Sequence, residues 1–204
     1  MMRAATRHLI AAIASLAIVS LGGAAAEAAG IFTLKSATFQ DGKTMPRKSA
    51  NSRANAPNNP NCIGENVSPQ LSWTNVPEGT KSFILLVNDP QSGGGAGFSH
   101  FVAYGIPASV TGFAEGELSK PSDKYVGGKT GFGMEIFNGP CPAPNTSPHH
   151  FVFVLIATDF EPKDLPAGLT RDEVLAKLIT PGQPPAHTKG TTSLVGLFVN
   201  PWHP

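Results

Sequence analysis

Apolar side chains along this chain fall in short runs separated by turn residues, a pattern of strands rather than of long helices. Ser82-Phe83-Ile84-Leu85-Leu86-Val87 and Phe101-Val102-Ala103-Tyr104-Gly105-Ile106 are continuous runs of strand length, the second closed by Pro107. Runs of this kind predict buried strands, and residues 151–157 and 194–199 repeat the signal. Residues 31–39 alternate in part, and residues 70–76 follow a Ser68-Pro69 turn, so each predicts a further strand. Between those two, residues 47–61 are rich in Asn and Pro without periodicity and predict an exposed loop. One helix is punctuated. Thr170-Arg171-Asp172-Glu173 reads as a capping box, Val174, Leu175, Leu178 and Ile179 share a face, and Pro181-Gly182 stops it. With no repeat and no second domain, the pattern predicts an antiparallel β-sandwich with a C-terminal helix that covers a sheet edge or face.

Composition supports the strands. Charged residues are 14% of the 204, well below the roughly 25% of an average domain, while Gly 22 and Pro 19 disfavour long helices. Lys and Arg number 15 against 14 Asp and Glu, with no local basic patch, which leaves no field to recruit a polyanion and excludes nucleic acid as a partner.

The first 28 residues read as a leader. Arg3, Arg7 and His8 form a basic start, residues 9–21 are apolar or small, and Ala24-Ala25-Ala26-Glu27-Ala28 offers small-residue cleavage sites. As a helix that apolar run would rise only about 20 Å, short of the roughly 30 Å hydrocarbon core, so a secretory signal peptide is favoured over a membrane anchor. Residues 29–204 then form a single domain with as many acidic as basic side chains, expected in the periplasm or outside the cell, without a transmembrane anchor after cleavage. In an oxidising compartment Cys62 and Cys141 either close a loop of about 80 residues as a disulfide, stabilising by roughly 4 kcal/mol, or remain buried thiols. Neither has a second Cys or a His at zinc-ligand spacing, so no metal site is expected.

Candidate chemistry lies at strand ends. If the strands at 82–88 and 100–106 pair antiparallel, Asp89 leaves one at the edge where His100 enters the other. The intervening Pro90-Gln91-Ser92-Gly93-Gly94-Gly95-Ala96-Gly97 could wall a cleft. His149 stands just before the 151–157 strand, with His150 on the opposite side, after the Pro-stiffened approach Gly139-Pro140-Cys141-Pro142. Catalytic look-alikes fail: Gly97-Phe98-Ser99-His100-Phe101 lacks the final glycine of a nucleophile elbow, and Gly128-Lys129-Thr130 lacks the first glycine of a P-loop.

Five stretches in order, Asn66-Val67-Ser68-Pro69-Gln70-Leu71-Ser72-Trp73, Asn88-Asp89-Pro90, Phe98-Ser99-His100-Phe101, Gly139-Pro140-Cys141-Pro142 and His149-His150-Phe151, resemble the phosphatidylethanolamine-binding family, and more narrowly its bacterial Raf-kinase-inhibitor-like members. The resemblance runs from about Thr33 to Val199. It implies a β-sandwich with a pocket for phosphate-like anions or phospholipid head groups. In that pocket Asp89, His100 and His149 supply side chains, Gly139 and Cys141 supply backbone, and Pro142 and Phe151 complete the site. Gln91 stands where a second aspartate is usual, Phe151 where a tyrosine often lines the pocket and Phe98 where a tryptophan is common, which implies a more apolar pocket.

These readings favour an exported, non-enzymatic binding protein, without cofactor or metal, that takes a small phosphorylated or other anionic ligand. The alternative is an inhibitor or interaction module acting on a secreted or envelope protein such as a protease. A hydrolase or metalloprotein built on two histidines and a carboxylate ranks below both.

Overall fold

A computed structural model describes residues 30–179 and 187–200, so the 1–28 leader and the Pro181-Gly182 stop lie outside the described residues. A three-stranded sheet is formed by β1 (Thr33–Lys35), β3 (Leu71–Thr74) and β6 (Gly112–Phe113) in that order. The larger, six-stranded sheet runs β2 (Lys43–Thr44), β9 (Thr188–Phe198), β8 (His149–Thr158), β4 (Ser82–Asp89), β5 (Phe98–Pro107) and β7 (Val126–Gly127). All pairings are antiparallel except β2 with β9. The sandwich expected from the pattern is present. Among the described residues no helix is long and apolar enough to cross a membrane.

Residues 83–87 of β4 are an unbroken apolar run because both faces of the strand are covered. Phe83, Leu85 and Val87 enter the core between the sheets, where Phe83 meets the edge of Trp73 at 5.3 Å between ring centroids. Ile84 and Leu86 point the other way, into a second cluster with Val102 and Tyr104. Removing each such side chain from water contributes about 1.5–3 kcal/mol. The second cluster is closed by α1 (Arg171–Leu178), whose Val174 and Leu178 are buried in it. The capping box is present: Glu173 N–H donates to Thr170 Oγ1 and Thr170 N–H donates to Glu173 Oε2. Ile179 departs from the expectation. It is extended rather than helical and 59% exposed, because the chain leaves the helix at that residue.

Two further differences shape the site. β5 begins at Phe98 rather than His100 and β8 at His149 rather than Phe151, since ladder pairing continues to Asp89↔Phe98 and His149↔Phe198. The expected exposed loop at 47–61 is only partly exposed. Arg47–Ser49 makes a 3-10 turn and Ser49, Ala50 and Asn51 are buried. That segment behaves as an interior strap: Asn51 N–H donates to the Pro140 carbonyl at 2.8 Å and Asn66 N–H to the Ala50 carbonyl at 2.7 Å.

Candidate functional site

Asp89 ends β4 on the core side of the sheet and is 1% exposed. A buried carboxylate needs partners, and the turn that follows supplies them locally. Oδ1 accepts from the backbone N–H of Gln91 at 2.9 Å and of Ser92 at 3.2 Å, and Oδ2 accepts from Ser92 Oγ at 2.6 Å. The fourth donor comes from β8, where His149 Nδ1 lies 2.6 Å from Oδ2. Burial pushes the Asp89 carboxyl up, but the hydrogen bonds from His149 and Ser92 outweigh it and hold the group below its ordinary 3.8. His149 reaches Asp89 by parity: positions 149, 151, 153 and 155 share the face that carries Phe151, Phe153 and Leu155 into the core.

His100 reaches the site by a different device. Val87 pairs with Phe101 but Asn88 pairs with Ser99, which makes His100 the extra residue of a β-bulge. Strict alternation from Phe101 would send His100 to the outer face; the bulge re-aims it inward. Its Nδ1–H donates to the Asn138 carbonyl at 2.8 Å, and the ring is wedged between the edges of Phe98 and Phe151 at 5.2 and 5.0 Å. Burial draws the imidazole below its ordinary 6.5 despite opposing backbone hydrogen bonds at Asn138 and Gly139. His100 is therefore neutral at pH 7, its proton sits on Nδ1, and Nε2 is a lone-pair acceptor without a partner among the described residues.

The acceptor carbonyl is held by the residue that opens the first motif. Asn66, buried with φ +58°, donates from Nδ2 to the Phe137 carbonyl at 2.9 Å and accepts the Gly139 N–H at 2.8 Å on Oδ1. That clamp fixes residues 137–139 beside His100.

Asp89 and His100 open onto a hollow of about 480 Å³. One wall is the Phe98–Phe132 ring pair, with centroids 4.5 Å apart, and the other holds Pro57, Asn58 and Pro142. Cys62 and Cys141, joined as a disulfide with Cα atoms 5.0 Å apart, line it as well. Asn200 Nδ2 donates to the carbonyls of Asn61 and Pro142 at 3.1 Å, which ties both strands of this wall to the end of β9.

The expected residues thus divide. Asp89, His100, Cys141 and Pro142 face the hollow. His149 stands behind Asp89 and Phe151 under the His100 ring. Gly139 packs where only glycine fits: a Cβ there would lie 2.0 Å from the Ser49 carbonyl oxygen, and its N–H is committed to Asn66. Gln91 turns outward, its amide carbonyl accepting from His150 N–H at 3.1 Å and its amide nitrogen donating to the Pro148 carbonyl at 3.3 Å. Sequence reasoning placed Ser92 only within the cleft-wall segment 90–97 and missed Asn51, Asn58, Asn59 and Phe132. The Asp-Pro-x-Ser spacing is a local signal that could have found Ser92. Among the described residues no group of three or more His, Cys, Asp or Glu is placed to hold a metal ion.

A two-sheet sandwich with a histidine–carboxylate hollow at one end defines a mainly β protein of the pocket-bearing kind. The family model described as phosphatidylethanolamine-binding protein matches residues 35–191, and the chain belongs to that family. A UPF0098 protein of Aquifex aeolicus is 32% identical over 167 residues, 81% of this chain and 87% of that one. The crystal structure of Escherichia coli YbcL, described as a new member of the mammalian PEBP family, has a TM-score of 0.70 at 28% identity and covers 82% of this chain and 98% of its own. A Mycobacterium tuberculosis protein named as a candidate lipoprotein, LppC, is 32% identical over 130 residues, 64% of this chain and 57% of that protein.

Proposed function

We propose that this protein is an exported, non-enzymatic binding protein that holds a small phosphorylated or other anionic head group in the hollow at Asp89 and His100. The carrying observation is that Asp89 from β4 and His100 from β5 face one open cavity walled by aromatic rings, with His149 from β8 hydrogen-bonded to Asp89 behind it. The polar end would meet the head group, and Phe98 and Phe132 the remainder of an amphiphilic ligand. Export is supported by the Cys62–Cys141 disulfide, by the signal-like leader and by a relative named as a candidate lipoprotein.

Binding rather than turnover fits the hydrogen bonds. The Ser92 hydroxyl donates to a carboxylate already accepting three other bonds, and His100 keeps its Nδ1 proton on a carbonyl. Neither arrangement activates a nucleophile, and groups that hold ground and transition states alike accelerate nothing. A partner protein of the cell envelope reading the exposed Phe132 at the rim is the second reading.

Calorimetric titration of phosphoethanolamine and of inorganic phosphate into the mature protein at pH 6 and pH 8 tests the proposal. Saturable binding lost in His100→Ala is expected. Absence of binding at both pH values, or binding unchanged in a folded His100→Ala variant, contradicts it.

A further inference from the structure

The inner end of the hollow is chemically one-sided. Donation of Nδ1–H to Asn138 leaves His100 with a bare lone pair on Nε2, and the ring is 95% removed from solvent. The charged and titratable groups that face it are Asp89, from β4, and His149, from β8. Asp89 contributes negative charge without a free proton, because four donors already converge on its oxygens. The wall at Pro57, Asn58, Cys62 and Pro142 is uncharged, and the Phe98–Phe132 wall is apolar. An oxyanion that enters fully ionised therefore meets an acceptor and a like charge where it needs a donor. One that keeps an O–H can give that proton to Nε2 and turn its remaining oxygens toward the Asn58 amide and the Cys141 N–H, which has no hydrogen-bond partner among the described residues.

Resting on the phospho-ligand reading above, we infer that the hollow selects an oxyanion still carrying a proton, with His100 Nε2 as the acceptor of its O–H. The favoured class is the phosphate monoester monoanion, and the rejected class is the sulfate ester, of the same shape and charge but without a proton. A site built to accept a ligand hydroxyl proton discriminates strongly against the analogue that lacks it, since its buried acceptor is then left unpaired. His100 is thereby a specificity-determining residue rather than a cationic anchor.

Methyl phosphate and methyl sulfate, titrated calorimetrically into the disulfide-intact wild-type protein, decide the matter without a variant. At pH 6.5 methyl phosphate is expected to bind at least about tenfold more tightly. Between pH 6.5 and pH 8 its apparent affinity is expected to fall by more than about tenfold as the monoanion, whose pKa is about 6, disappears, while the affinity for methyl sulfate stays flat. Equal affinities at pH 6.5, or a fall shared by methyl sulfate, would assign recognition to a protonated imidazole and overturn the inference while leaving the phospho-ligand reading intact. Binding of neither probe overturns both.

Discussion

Asp89 Oδ2 and His149 Nδ1 lie 2.6 Å apart across a sequence separation of 60 residues. The contact joins the end of β4 to the start of β8 at the inner end of the hollow, and it leaves the Asp89 carboxylate with no unmet hydrogen-bonding capacity toward the chain. Replacing that carboxylate by an amide places an N–H donor among four donors. Asp89→Asn is expected to lower stability by about 2–3 kcal/mol, a fall of about 5–10 °C in Tm, read by thermal denaturation at pH 7. A Tm within 2 °C of wild type, on the order of 0.5–1 kcal/mol, would mean that the contact carries little energy.

Acid should destabilise the fold through two groups with the same sign. The unfolded chain takes up a proton on His100 more readily than the folded one, so the stability linked to neutral His100 is complete above about 6.5 and is lost as pH falls through the depressed folded value. Asp89 adds a second loss, complete above 3.8 and removed as pH falls through its own lowered value. Denaturation midpoints in urea are expected to fall from pH 6.5 toward pH 3, and less steeply between pH 6.5 and 5 in His100→Gln. A flat or rising midpoint over that range is the opposing result.

The Cys62–Cys141 bond spans 79 residues and binds the hollow's loop wall to the Pro140-Cys141-Pro142 segment. Reduction is expected to lower stability by roughly 4 kcal/mol, or about 8–16 °C in Tm, by restoring loop entropy to the unfolded chain. Calorimetric scans with and without reductant measure it, and coincident transitions after confirmed thiol release would contradict the expectation.

Much of the architecture could be read from the sequence because its cause is local. Continuous apolar runs at 82–87 and 101–106 mark strands covered on both faces, and the Thr170–Glu173 capping box marks a helix start. His149 and His150 point to opposite sides because strand side chains alternate. His100 was placed at the right edge by the pairing of β4 with β5, but its inward aim depends on a bulge, a register event between two strands that no single-strand pattern encodes. For a related reason the local pattern predicts an exposed loop where Ser49–Asn51 forms a buried strap. Its backbone is bonded to distant backbone at Pro140 and Asn66, partners invisible to local periodicity. His187 pairs with Asp159 at 2.8 Å and stacks on Phe160 while its side chain stays 40% exposed.

Phe132 is 63% exposed yet packs on Phe98 at the mouth of the hollow. Phe132→Ser is expected to leave stability within about 0.5 kcal/mol of wild type and to weaken phenyl phosphate about three- to tenfold, with methyl phosphate unchanged. Parallel titrations of the two esters check this, and an equal loss for both would place Phe132 outside the ligand's apolar contact.

The most direct test of the head-group site is the nitrogen-15 spectrum of the histidine rings during titration with phosphoethanolamine. His100 Nε2 is expected to move with saturation, and His149 with it through Asp89, while His150 and His187 stay fixed. Saturating ligand that leaves the His100 ring unmoved, or that shifts His150 or His187 instead, would contradict a head-group site at this hollow.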